Sequence, residues 1–277
     1  MKRKLFSIQN LLSVIILIAW NGYANTGNFN GKTVGDLSAE YNNLFTPASY
    51  AFSIWGLIFL MLLVFGIYGV YSAFAKASTA VPNKTDSDYR TDFVTTTAPW
   101  FLMANIFCSL WVGLWLEEMI GLSVVCMLGI LICLIACIIK LDMEIWDAPF
   151  PIIAFVWWPV CLYSGWISVA IIANVSAWLN HVLDLSQSVE IGVTVIMILI
   201  ASIINLAMVL FYNMREFTMV GVWALVAIFI RHHGTLDSIA YVALTKAIML
   251  TLAVTWHGYK NFKTNPLLKF QQWRMDK

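Results

Sequence analysis

Four residues of one predicted helix are spaced so that their side chains share a helix face. Trp166, Ala170, Asn174 and Trp178 recur every four residues within the apolar run 157–180, and residues four apart lie above one another on a helix. On a helix face that contacts only lipid, the amide of Asn174 would lie in hydrocarbon without a hydrogen-bonding partner, which is unfavourable. The pattern predicts a buried binding site with aromatic walls and one polar group.

Composition places this helix in a membrane protein. Hydrophobic residues make up 61% of the 277 residues, and charged residues make up 11%. A helix needs about 20 mostly apolar residues to cross roughly 30 Å of hydrocarbon. The sequence has eight candidate runs, at 6–23, 51–74, 97–116, 120–139, 152–179, 191–211, 217–230 and 239–256. We therefore predict an all-α integral membrane protein, a polytopic bundle of about eight transmembrane helices.

Two of these spans have alternatives. The run 217–230 has only 14 residues, which make about 21 Å of helix at 1.5 Å per residue. To cross the membrane, this helix must include flanking residues or tilt little. Otherwise the run forms a re-entrant hairpin. The first run follows a basic N-terminus, as the core of a signal peptide does. Gln9, Asn10 and Trp20 fit such a core poorly, so we expect this run to stay as the first helix.

The basic residues predict the orientation of the bundle. With the N-terminus inside, 13 of the 16 Lys and Arg residues fall on inner segments, including the loop 75–96. The outer segments hold only Lys32 and Arg231, and Lys246 lies within the eighth span. Because basic loops stay in the cytoplasm, we expect both termini there, in a bacterial inner membrane. The net charge of +1 argues against a nucleic-acid partner.

The longest outer segment, 24–46, is rich in Asn and Gly and ends in the sequence LFTP at residues 44–47. A loop of this length lies over a pocket as a lid in some proteins and is a flexible connector in others. The sequence leaves both alternatives open.

The remaining reactive residue types show no local pattern for catalysis or metal binding. All five cysteines fall inside predicted spans and are interpreted as small packing residues: Cys108, Cys126, Cys133, Cys137 and Cys161. No histidine or cysteine pair has a metal-binding spacing, and no nucleophile–base set is visible. The sequence therefore predicts no enzyme, no cofactor and no metal site.

Further aromatic and polar residues are candidates for lining the predicted site. Tyr50, Phe52, Trp55 and Phe59 line the start of the second span. The third span carries Asn105 and Trp111. Trp55, Trp111 and Trp166 lie a turn or more inside their helices, so the belt of tryptophans at membrane interfaces explains them poorly. Asn105 and Asn174 either hydrogen-bond a ligand or join packed helices.

Lys246 lies near the middle of the eighth span, where a charge is costly and usually faces a cavity or a partner. It is interpreted as a residue that pairs with a ligand carboxylate or takes part in a proton-coupled step. The alternative is a lysine whose amine snorkels to the interface or bonds to carbonyl groups.

Two segments resemble signatures of the tryptophan-rich sensory protein family, the relatives of TspO and the translocator protein. Residues 44–55, LFTPASYAFSIW, are similar to the family's F-T-P-P-x-W-x-F at the start of its second helix, with Ala48 and Tyr50 replacing the second Pro and the first Trp. Residues 166–178 are similar to W-V-x-F-A-x-x-x-N-x-x-x-W of the family's last helix.

The resemblance covers about the first 180 residues, the length of the family's five-helix core. It implies a TspO-like core at residues 1–180. Residues 181–277 then form three additional transmembrane helices and a short basic cytoplasmic tail, as in a longer branch of the family.

The resemblance also implies a pocket for porphyrins, related tetrapyrroles or sterol-like molecules, in a protein that is often a homodimer in contact with membrane lipid. Carried over residue by residue, the pocket is built from Trp55, Phe59, Asn105, Trp166 and Ala170. The implied function is a membrane receptor or transport-like protein for a lipophilic ligand, with stress sensing as one role. The alternative is a proton- or ion-coupled small-molecule transporter, in which Lys246 is the coupling residue.

Overall fold

The computed structural model describes residues 1–75, 92–183, 185–262 and 265–275. The basic residues Lys76, Lys84 and Arg90 of the predicted inner loop lie outside these ranges. Within them the chain forms helices and no strand, with a 3₁₀ turn at Ser49–Ser53. The helices are α1 (Lys2–Ala24), α2 (Val34–Glu40), α3 (Ile54–Phe74), α4 (Phe93–Leu116), α5 (Ile120–Lys140), α6 (Phe150–Leu183), α7 (Gln187–Tyr212), α8 (Arg215–His232), α9 (Asp237–Lys260) and α10 (Pro266–Met275).

Eight of these helices correspond to the eight predicted spans, and the predicted polytopic helical bundle is confirmed. Seven of the eight are long and apolar enough to cross a membrane. The exception is α8, which has 18 residues, about 27 Å of helix. It extends past the apolar run 217–230 at both ends and so includes Arg215, Glu216 and Arg231.

Helix α6 lies at the centre of the bundle. In its most apolar window 83% of the residues are buried, the largest share among the candidate spans. It packs against α3, α5, α7 and α8. Its first part contains a π-helical turn at Ile153–Trp157, which ends two residues before Pro159. Proline has no N–H to donate, and a π turn is a common way for a helix to absorb such an interruption.

The helices after residue 180 pack directly on the first five spans. Gly165 of α6 permits a close approach of α8, since a Cβ atom at Gly165 would lie 2.9 Å from the Phe217 carbonyl oxygen. The amide nitrogen of Ala48 donates to the Ala227 carbonyl oxygen at 3.2 Å. The division of the chain near residue 180 stays a prediction.

The C-terminal tail continues beyond α9 as helix α10. Lys269 of α10 forms an ion pair with Asp147 at 2.5 Å. The Phe270 ring lies 5.1 Å from the Phe150 ring, measured between centroids. These contacts hold α10 against the start of α6.

Candidate ligand-binding site

Two adjoining chambers lie beneath the predicted outer segment 24–46. The outer chamber has a volume of about 670 Å³ and the deeper one about 40 Å³. Both chambers are lined by residues of α2, of the segment before α3, of α3 itself and of α4: Val34, Ser38, Thr46, Pro47, Phe52, Trp55 and Trp111. The shared lining makes the two chambers parts of one site.

Tryptophan rings form the walls of the deep chamber. Trp55 and Trp166 meet edge to face with centroids 6.5 Å apart, and Trp111 and Trp115 are stacked at 6.2 Å. Phe52 also contacts Trp166 edge to face, at 5.9 Å. Such rings bury large apolar areas and hold well-defined mutual orientations. The deep chamber is therefore a slot with rigid aromatic sides.

One face of α6 supplies the rest of this slot. Ala170, Ala173 and Asn174 line the deep chamber together with Trp166, as the four-residue spacing predicts. Trp178, the last member of the spaced set, lies elsewhere. Its side chain is 39% exposed and sits over Gly121.

The amide of Asn174 is occupied by neighbouring helices. Its Oδ1 accepts a hydrogen bond from Trp111 Nε1 at 2.9 Å. Its Nδ2 donates to Ser123 Oγ at 2.9 Å, and that hydroxyl donates to the Ile120 carbonyl oxygen. Of the two alternatives for Asn174, the structure therefore shows the one in which it joins packed helices, here α4, α5 and α6.

Four of the ten candidate residues lie outside the lining of both chambers. Tyr50 is 38% exposed and packs on Trp223 of α8. The Phe59 ring lies 5.3 Å from the Trp55 ring and supports it from behind. Asn105 Nδ2 donates to Ser13 Oγ at 2.9 Å, which ties α4 to α1.

Lys246 is the fourth of these residues. It is half-buried on α9, which packs mainly against α7 and α8. The structure therefore does not bring Lys246 to the candidate site. The helical pattern of a sequence shows the face on which a residue lies, and does not show which helices are its neighbours.

Arg231 is the cation at the candidate site, and our sequence reasoning missed it there. It lines the outer chamber from the end of α8. Its Nη1 donates to the Asn43 carbonyl oxygen at 2.8 Å, and its other bonds go to the Thr46 carbonyl oxygen and to Asn42 Oδ1. One feature of the sequence could have identified Arg231: it is one of only two basic residues on the predicted outer segments.

Helix α2 covers the chambers. Thr33 caps it in both directions, with Asp36 N donating to Thr33 Oγ1 at 3.1 Å and Thr33 N donating to Asp36 Oδ2 at 2.8 Å. Trp115 Nε1 donates to the Val34 carbonyl oxygen at 3.3 Å. Since Val34 and Ser38 line both chambers, the outer segment has the placement of a lid.

A surface network holds this lid to the end of α4. Lys32 Nζ lies 2.7 Å from Glu40 and 3.0 Å from Glu118. Tyr41 donates to the Glu118 carboxylate at 2.8 Å. The hydrogen bond from Tyr41, followed by that from Lys32, lowers the pKa of Glu118 below its usual value. The two glutamates raise the pKa of Lys32.

Comparison with known proteins identifies the family. Residues 7–256 match the family model described as TSPO-like protein. This chain belongs to the TSPO-like family. The match confirms the resemblance seen in the two sequence segments and continues through most of the additional helices. Neither the curated proteins nor the solved structures contain a match to the chain.

One donor in the deep chamber of this TSPO-like protein is unused. Trp166 is 1% exposed, and its Nε1 is buried with no acceptor among the described residues. A buried donor without a partner is unfavourable by about 1–3 kcal/mol.

Proposed function

We propose that this TSPO-like membrane protein binds a flat, lipophilic, tetrapyrrole-type ligand beneath its outer lid. It acts as a receptor or transport-like protein, with stress sensing as one role, and carries out no reaction on the ligand. The observation that carries the proposal is the aromatic slot, in which Trp55, Trp111 and Trp166 meet beside the small residue Ala170. Trp55 and Trp111 also line the outer chamber, where a flat ring has room to stack on them.

The chamber volumes indicate how such a ligand lies. Pockets for drug-sized ligands have volumes of about 300–1,000 Å³, and the outer chamber, at about 670 Å³, is within this range. The deep chamber, at about 40 Å³, has room for little more than one water, whose share of liquid volume is about 30 Å³. The body of the ligand therefore occupies the outer chamber, with one edge against the aromatic slot.

The rim of the outer chamber favours an amphipathic ligand over a wholly neutral one. A guanidinium has five N–H donors. Arg231 donates three hydrogen bonds to residues of the lid and its end. The remaining donors suit a carboxylate at the polar edge of the ligand. Asn21, Asn25 and Asn42 line the same chamber and add neutral hydrogen-bonding groups. A porphyrin with carboxylate side chains has this combination, whereas a sterol lacks the anion.

Tryptophan-fluorescence quenching of the detergent-purified protein by a dicarboxylic porphyrin tests the proposal. We expect saturable quenching in the wild type and a large loss of affinity in Trp111→Leu. The control is Trp256→Leu on α9, because the Trp256 side chain is 54% exposed and does not line either chamber. The proposal is wrong if quenching is not saturable, or if both variants bind like the wild type.

A further inference from the structure

A second cluster of polar side chains lies at the opposite end of the bundle from the two chambers. It contains Glu144 of the α5–α6 connection, Cys161 near the start of α6 and Glu216 in the first turn of α8. One carboxylate oxygen of each glutamate and the Cys161 sulfur all lie within 4.8 Å of one another. The three residues are far apart in the chain, so no local spacing reveals them.

Cys161 and one carboxyl oxygen of each glutamate in this cluster are buried. Cys161 is 0% exposed. Glu144 Oε1 and Glu216 Oε2 are closed to solvent and have no hydrogen-bond donor among the described residues. Buried carboxyl oxygens without a hydrogen-bond donor are unfavourable, so this arrangement favours a bound cation.

Arg215 does not fill this place. Arg215 lies at the start of α8, and its positive charge stabilises the charged form of Glu144. In the described part of the chain, however, no ion pair joins it to either glutamate within 4.0 Å. Its own Nε is buried without an acceptor.

A surrounding layer of hydrogen bonds positions the cluster. Asn213 Nδ2 donates to the Glu144 carbonyl oxygen at 2.9 Å. The Asn213 Oδ1 atom lies 2.9 Å from His257 Nε2, which ties α9 to the same place. These bonds fix the main chain at Glu144 against α9 and the connection between α7 and α8.

A cavity provides a route to the cluster. It has a volume of about 640 Å³ and is lined by Glu216 and Arg215 of α8, by Trp158 of α6, and by Asn265 and Pro266 at the start of α10. Glu216 belongs both to the cavity wall and to the cluster. An ion can therefore reach Glu216 from the surface, whereas Cys161 stays buried.

We propose that Glu144, Cys161 and Glu216 bind one divalent transition-metal ion of the Zn²⁺ type. Zinc takes thiolate, imidazole and carboxylate ligands, and three protein ligands leave a fourth position for water. Mg²⁺ and Ca²⁺ prefer all-oxygen sets, and a thiolate favours softer metals. A divalent ion with three anionic donors and Arg215 also gives a neutral group of charges, which a buried location requires.

Metal binding at this site has a structural consequence. Tetrahedral zinc with bonds of about 2.0–2.3 Å holds its ligand atoms roughly 3.3–3.8 Å apart, which is compatible with three donors that lie within 4.8 Å of one another. A bound ion bridges the α5–α6 connection, α6 and α8. The ion is expected to join the additional helices to the first five spans and to raise the thermal stability of the bundle.

Titration of the tag-free, purified protein with Zn²⁺, and with Co²⁺ as a spectroscopic probe, tests the proposal. We expect one ion per chain, a cobalt–thiolate charge-transfer band, and a rise in Tm on adding Zn²⁺. Cys161→Ser is expected to abolish the band, and Glu216→Gln to weaken Zn²⁺ binding by more than about tenfold, since even partners of the ligands contribute 10–100-fold. Cys137→Ser is the matched control, because Cys137 is also 0% exposed.

Several outcomes overturn the site. They are a wild type without saturable Zn²⁺ binding, a charge-transfer band that persists in Cys161→Ser, and equal Zn²⁺ affinity in wild type and Glu216→Gln. If Cys161→Ser does not fold, Glu144→Gln decides instead, because Glu144 lies in a connection outside the helices. Retention of the full Zn²⁺-induced rise in Tm by Glu144→Gln then refutes the proposal.

Discussion

Trp111 Nε1 donates a hydrogen bond to Asn174 Oδ1 across 2.9 Å. The same amide donates to Ser123, so three helices meet at one asparagine. Both Trp111 and Asn174 line the deep chamber. Asn174 thus acts on the site by holding the Trp111 ring in one orientation.

Asn174→Leu is expected to destabilise the protein. It leaves the Trp111 indole N–H buried without an acceptor, and such a loss is unfavourable by about 1–3 kcal/mol. Thermal unfolding in detergent measures the stability, and porphyrin quenching measures the site. The exposed residue Asn28 provides a control in Asn28→Leu. A double-mutant cycle with Trp111→Phe isolates the pair, and a coupling energy near zero contradicts this account.

Ala170→Phe is expected to abolish ligand binding while the bundle stays folded. A phenyl ring fills the chamber of about 40 Å³ beside Trp166, and overpacking of this kind is typically unfavourable by about 1–3 kcal/mol. Quenching titrations and a melting curve are the measurements. Leu252→Phe is the control, since Leu252 is 65% exposed on α9. Wild-type affinity in a folded Ala170→Phe protein places the ligand elsewhere.

Arg231 and Lys246 are expected to behave differently towards a ligand carboxylate. Arg231→Met removes the cation beside the outer chamber, and a hydrogen bond to a charged group contributes about 1.5–3 kcal/mol. A dicarboxylic porphyrin should therefore bind roughly 10–100-fold more weakly, whereas its dimethyl ester should lose much less. Lys246→Met should change neither affinity, because Lys246 does not line the cavity.

The matched variant for this comparison is Arg231→Lys, which keeps the charge and loses the planar fork. It should retain part of the preference for the dicarboxylic ligand. Equal losses for the acid and the ester in Arg231→Met show that Arg231 acts only by holding the lid. A change in porphyrin flux into vesicles on Lys246→Met favours the transporter alternative.

The network of Lys32, Tyr41 and Glu118 is expected to make the lid sensitive to pH. The pKa of Glu118 is below its usual value of 4.5 in the folded protein, so its contribution to stability is complete above that value and is lost as the pH falls through the lowered pKa. The pKa of Lys32 is above its usual 10.5, so its contribution is present below that value and is lost at higher pH.

Hydrogen exchange of residues 33–40 measures this effect. We expect the slowest exchange of the lid between about pH 4.5 and 10.5, after correction for the intrinsic rate. Glu118→Gln should accelerate exchange within this window, whereas Glu117→Gln, at the neighbouring exposed position, should not. Identical protection in Glu118→Gln and the wild type contradicts a role of the network in closing the lid.

The orientation of the protein is testable independently of any ligand. Of its 16 Lys and Arg residues, 13 fall on the predicted inner segments, so both termini should be cytoplasmic. Reporter fusions at residue 277 should score as cytoplasmic, and a cysteine placed in the segment 24–46 should be labelled from the outer side. An extracytoplasmic reporter at residue 277 contradicts the orientation.

The sequence by itself determined the features that depend on local pattern. Hydropathy predicted the eight helices, because crossing hydrocarbon requires a long apolar run with internally satisfied backbone groups. The spacing of Trp166, Ala170 and Asn174 predicted that they line one site, because residues four apart share a helix face. The two short motifs were sufficient to indicate the family.

Only the tertiary structure decided which residues meet across helices. Arg231 reaches Asn43 over 188 positions of sequence, whereas Lys246, the more conspicuous charge, points to no described chamber. Asn174 lines the deep chamber, yet its amide is used by Trp111 and Ser123. Helical periodicity is a property of neighbouring residues. The partner of each helix face follows from the packing of the whole bundle, which no local pattern encodes.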